Sequence, residues 1–242
     1  MIWGTFGFVH ILSLLFGAAM VAALYWILRR KTRKTQTAVL GVLSFSGIAA
    51  ILYNLLMWGT PLEYLPLQLC SINALLLPIV VFTRSKTVGN LLLVWSLGAV
   101  AALVVNNAMA DAELLSWRFF FYYFPHVMEF GIPILLFKLG LVEKTPKCIG
   151  STLVLTMGIY TVVHFINKGI NAWSAAVGFM SGEEILQVNY MYSITPEFPI
   201  LALFYDLIPC EYWYMYMVVP IVAVYLLIVY APQLLKKAKK EN

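Results

Sequence analysis

The sequence predicts an all-α polytopic membrane protein: a seven-transmembrane-helix bundle with its N-terminus outside and its C-terminus in the cytoplasm. Three observations lead there. The 242 residues are 62% hydrophobic and only 11% charged, where a soluble domain carries roughly a quarter charged residues. The apolar residues gather into runs of about 20, the length that crosses a bilayer as a helix. The basic residues fall almost entirely between alternate runs.

Seven spans follow, at about 6–28, 38–57, 65–82, 88–107, 117–137, 149–167 and 213–231, in a single membrane domain covering 1–242. They are expected to be helical, because lipid offers backbone groups no partner and strand-like alternation is absent. The first run is too long for a removable signal, and the stop-transfer cluster RRKTRK follows it. With the N-terminus outside, RRKTRK, TRSK, KLGLVEKTPK and KKAKK lie inside and hold 14 of the 16 Lys and Arg, leaving only Arg118 and Lys168 outside. The outer segments collect Glu63, Asp111, Glu113, Glu183, Glu184, Glu197, Asp206 and Glu211. The net charge of +5 is therefore a topology signal. Membrane lipids are the expected partners, with no nucleic acid among them. The location expected is a cell membrane, crossed several times.

The longest connection, about 168–212, is too rich in Trp, Tyr, Phe and Ile for a solvated linker and is expected to form an aromatic cap at the outer interface. Pro196, Pro199 and Pro209 interrupt any continuous helix there. Three cysteines give no disulfide framework. No internal repeat supports an inverted-repeat transporter.

This topology gives each intramembrane polar residue a depth. Gln68 and Cys70 lie roughly 5–10 Å below the outer boundary, and His126 about 12 Å, at 1.5 Å per helical residue. His10, Asn54, Asn106, Asn107, His164 and Asn167 fall in the same outer third, while the inner two-thirds is almost purely aliphatic. Polar residues in lipid turn toward a bundle interior or a wet cavity. A single one is adequately explained as an interhelical hydrogen bond, but interhelical bonds alone would be scattered through both leaflets. Helical spacing pairs Cys70 with Asn73, His126 with Glu129, and His164 with Asn167. Cys70 and His126 have the chemistry of a thiol nucleophile and its base, with Glu129 one turn below to orient the imidazole. Glu129 as a neutral, satisfied side chain is the equal alternative. Cys, His and Glu also ligate metals, but no ligand pair has a recurrent metal spacing, and no cofactor is called for.

The stretches YLPLQLCSINALLLPI (64–79), FFFYYFPHVMEFGIPIL (119–135), VHFINKG (163–169) and NYMY (189–192) resemble the YwaF family of bacterial integral membrane proteins. That family is similar to the eukaryotic multispan acyltransferases of the transmembrane protein 164 family, which place long acyl chains on lyso-ether phospholipids. The resemblance implies Cys70 as nucleophile and His126 as its partner, with Asn167, Asn189 and Tyr190 at motif positions that shape a pocket. Many family members carry His where this chain has Gln68. A carboxamide there can still donate to a carbonyl oxygen.

The sequence thus points to a lipid acyltransferase acting through a Cys–His pair and a thioester, with a lysophospholipid acceptor. Catalytic candidates are Cys70, His126 and Glu129. Substrate-binding candidates are Gln68, Asn73, Asn106, Asn107, Tyr122, His164, Asn167, Asn189 and Tyr190. An acyl-ester hydrolase, a transporter component and a docking partner for another membrane protein remain open as alternatives.

Overall fold

The computed structural model describes residues 1–57, 60–105 and 109–241, with side chains described as far as residue 235. It is predominantly helical. The helices are α1 (Phe8–Leu28), α2 (Arg33–Ser44), α3 (Ser46–Met57), α4 (Leu69–Thr83), α5 (Lys86–Val105), α6 (Trp117–Lys138), α7 (Ile149–Val177), α8 (Pro199–Leu207) and α9 (Val218–Glu241). One two-stranded antiparallel hairpin, β1 (Met180–Ser181) with β2 (Glu184–Ile185), follows α7. Six segments among the described residues are long and apolar enough to cross a membrane: Phe8–Leu28, Arg33–Met57, Lys86–Val105, Trp117–Lys138, Pro146–Val177 and Trp213–Leu235. The chain is a multi-pass membrane protein.

The run expected at 65–82 is shorter as a helix. α4 has 15 residues, about 22 Å of rise against a hydrocarbon core near 30 Å. Residues 65–68 form a turn before it. The run expected at 38–57 is interrupted. Ser44 Oγ donates to Gly41 O at 2.7 Å, and the Phe45 amide bonds back to Val42 O at 3.2 Å. The ladder tightens there and α2 gives way to α3, as serine back-bonding tends to bend helices. α7 runs ten residues beyond its expected end at 167, because nothing breaks it before Gly178. That glycine adopts a left-handed φ of 66° and its amide caps Ser174 O.

The chain divides into two compact units, residues 1–56 with 69–144 and residues 57–68 with 145–242. In the first, α6 is the central helix and packs against α5, α1, α4 and α2. The N-terminal segment folds back on this unit. Trp3 is 1% exposed, its amide bonds Ala112 O at 2.9 Å, and its indole donates to Ser13 Oγ at 2.8 Å.

In the second unit, residues 178–217 are folded rather than extended. Leu201, Phe204 and Tyr214 form a small core, with Tyr192 and Phe198 packed against it. Pro199 begins α8 at the position where a missing amide hydrogen costs nothing.

Candidate functional site

Cys70 is the second residue of α4. It is half-buried and free. The amide and hydroxyl of Ser71 point at its sulfur, and Glu129 lies within electrostatic reach.

His126 sits on α6, the helix against which α4 packs, and is 8% exposed. Its Nδ1 is 2.6 Å from the Tyr122 carbonyl one turn back. A carbonyl can only accept, so Nδ1 carries the proton and Nε2 holds the free lone pair of the neutral ring. The Tyr122 and His126 rings lie 4.4 Å apart, and the Tyr122 hydroxyl is anchored on Ala102 O at 2.8 Å. The imidazole is therefore oriented by Tyr122. This corrects the expectation that Glu129 would hold it. Glu129 instead interacts with Asn73 of α4.

His10 shows what a structural histidine looks like here. It receives the Phe6 amide on Nδ1 at 2.9 Å and bonds Leu103 O through Nε2 at 2.8 Å. Both nitrogens are committed, which leaves none for chemistry.

Gln68, His164, Asn167, Asn189 and Tyr190 lie in the second unit. Asn167, fully buried, accepts the Tyr190 amide at 3.0 Å and donates to Tyr190 O at 2.8 Å. Its amide nitrogen also reaches Ser193 Oγ at 2.9 Å, which His164 Nδ1 shares at 3.1 Å. Gln68 Oε1 accepts the Met191 amide at 2.9 Å. The Asn189 carboxamide closes its own loop onto Ile194, Thr195 and Glu197. Tyr190 donates its hydroxyl to Leu62 O, and burial pushes that phenol up to about 12, so it stays a neutral donor. A polar cavity of about 220 Å³ opens among Glu63, Gln68, Asn189, Tyr190 and Glu197. Three nominated residues thus share one cavity. Asn106 and Asn107 lie outside the described residues.

Two residues escaped the sequence reading. Asn171 brackets Val188, donating to its carbonyl at 3.0 Å and accepting its amide at 2.7 Å. Ser174 Oγ donates to Leu186 O at 2.6 Å. With His164 and Asn167 they form a stripe spaced 3, 4, 3 along α7, one helix face. That periodicity was the available signal. Among the described residues no group of three or more His, Cys, Asp or Glu side chains could hold a metal ion.

The model of the TMEM164 family matches residues 5–230, and the chain belongs to that family. No curated protein and no solved structure matches it.

Proposed function

From that membership and from the site chemistry, we propose that this TMEM164-family protein is a membrane-embedded lipid acyltransferase with Cys70 as nucleophile and His126 as its base. The observation that carries the reading is the Tyr122 bond to His126 Nδ1, which leaves Nε2 as the ring's proton acceptor on a helix packed against α4, the helix that carries Cys70 in its first turn. Nε2 takes the thiol proton and the sulfur attacks the ester carbonyl of a phospholipid acyl chain. The carbon–oxygen ester bond breaks, the leaving alkoxide takes the proton back from the imidazolium, and a thioester remains on Cys70. A lysophospholipid hydroxyl, deprotonated by the same nitrogen, then attacks the thioester and releases the thiolate, which recovers the proton. With water as acceptor the same site would hydrolyse the ester.

In this reading α4 is a seventh crossing with a non-helical approach at 65–68, the N-terminus faces outward, and the setting is a bacterial plasma membrane. The test is intact-mass analysis of purified protein after exposure to phospholipid. A mass gain equal to one acyl chain, released by hydroxylamine and absent from Cys70→Ala, is expected. Unmodified Cys70 alongside undiminished acyl transfer by Cys70→Ala would remove the covalent mechanism.

A further inference from the structure

One end of the first unit is strongly basic. The C-termini of α1, α4 and α6 meet the N-termini of α2 and α5 there. It gathers every Lys and Arg of that unit except Arg118, against one carboxylate, Glu143, which is paired with Lys86. Placement between spans explains the sign of these charges. It asks for no particular arrangement of the side chains, yet two guanidiniums here are held in place.

Arg84 follows the last residue of α4 in a left-handed backbone with a φ of 56°, its amide bonded to Val80 O at 2.9 Å. Glycine is the usual residue at such a helix end, because a Cβ is strained there. The arginine is kept in spite of that strain, and its side chain crosses to α2, where Nη2 donates to Thr37 Oγ1 at 3.2 Å. Arg33 lies one turn before Thr37 on the same face of α2 and donates Nη1 to Leu139 O at 2.6 Å. The two cations therefore stand at successive turns of one helix face. Both residues are exposed, and each bond uses one of the five N–H donors of a guanidinium fork.

One turn deeper the surface becomes apolar. Phe82 of α4 lies against Gly41 of α2, where a Cβ would come within 2.7 Å of its ring. The rest of that side chain is open, Phe82 being 57% exposed and Ile79, one turn further along α4, 48%. The apolar segment Arg33–Met57, long enough to cross a membrane, starts at the same level, so the seam runs from hydrocarbon into the headgroup layer.

An exposed apolar strip topped by two fixed guanidiniums matches an amphiphile with a negative head. A free anion would leave the strip unused, and a zwitterionic headgroup would bring its own cation to a surface already crowded with them. Basic clusters beside membrane helices recruit anionic lipids, and the forks add the planar geometry that suits a phosphate. We propose that the α2–α4 seam at this end docks one anionic phospholipid, its phosphate on Arg33 and Arg84 and an acyl chain along Phe82 and Ile79. The site lies about 20 Å along α4 from Cys70, at 1.5 Å per residue, and does not rest on the acyl-transfer reading.

The experiment is thermal unfolding of the full-length protein in detergent, titrated with phosphatidylglycerol, phosphatidylcholine or inorganic phosphate. A ligand of the folded state raises the midpoint in a saturable way. A saturable rise with phosphatidylglycerol alone is expected, and Cys70→Ala should leave it unchanged. The Arg33→Lys/Arg84→Lys protein keeps every charge, and with them the topology signal, but loses both forks. Its half-saturating lipid concentration should rise about tenfold, the worth of one charge-assisted hydrogen bond. An equal response to phosphatidylcholine or to inorganic phosphate overturns the proposal, as does an unchanged phosphatidylglycerol response in the double variant. If that protein fails to fold, Arg84→Gly decides, since glycine suits the left-handed backbone and removes one fork. Weaker phosphatidylglycerol binding with an undiminished lipid-free midpoint supports the site, and unchanged binding overturns it.

Discussion

On α7, His164, Asn167, Asn171 and Ser174 meet loop groups that complement them, through Tyr190, Ser193, Val188 and Leu186. On α4 and α6, Asn73 and Glu129 meet each other and leave one buried oxygen each unpaired. Both sets look alike in the sequence: carboxamides and ionisable groups set into apolar helices at turn spacing. Their satisfaction separates them. A polar group whose partners come from a loop of its own chain holds that loop in place, whereas a buried oxygen without a partner is the exception that calls for an explanation. The same contrast divides the histidines, since His10 has both nitrogens bonded and His126 has Nδ1 held by Tyr122.

The largest expected effect tests whether the chemistry sits where this contrast puts it. Cys70→Ser and His126→Ala should each lower acyl transfer on the order of a thousandfold or more, as losing one member of a nucleophile–base pair does, with thermal midpoints close to wild type. Activity is read as transfer of a radiolabelled acyl chain to lysophospholipid. Folded, fully active Cys70→Ser protein would dissolve the contrast.

Next comes stability. Asn167→Ala strips both backbone groups of Tyr190 of their side-chain partner and should cost about 2 kcal/mol, seen as a lower midpoint with normal specific activity in the protein that remains folded. Glu129→Gln should cost much less, since a carboxamide of the same shape still offers Asn73 a hydrogen-bond partner. Equal losses in the two variants would mean that unpaired oxygens carry no information here.

A smaller effect sharpens the packing side. Gly47→Ala collides with Ala74 and should destabilise by about 1–3 kcal/mol, the usual range for overpacking. Gly158→Ala on α7 meets nothing within 4 Å and should be neutral or stabilising by up to about 1 kcal/mol through helix propensity.

The smallest effect lies outside the spans. Arg118 holds the Asp111 carboxyl below its usual range through a 2.9 Å ion pair. A lowered carboxylate contributes stability that is present above the ordinary carboxylate range and is lost as pH falls through it. The midpoint difference between wild type and Asp111→Asn should therefore be small at neutral pH, vanish in acid and shrink with added salt. A difference that grows in acid would contradict the sign.

Hydropathy, basic-residue placement and turn spacing were enough to identify a helical, multi-pass membrane protein, because transfer of a segment into lipid depends on its own composition. The motifs around Cys70, His126 and NYMY likewise led, by way of a resemblance to YwaF proteins, to the TMEM164 family that the comparison shows, although the YwaF label itself is not part of that match. The Asn73–Glu129 bond, the break at Phe45 and the role of Tyr122 were not legible in this way. A hydrogen bond is set by which atoms of distant segments arrive within about 3 Å at the right angle, and one-dimensional spacing carries no such information. Spacing placed Glu129 one turn from His126, but the Tyr122 carbonyl accepts the hydrogen bond from the imidazole Nδ1. Local composition thus determined where the polar residues lie along the helices, and tertiary packing decided which of them are satisfied.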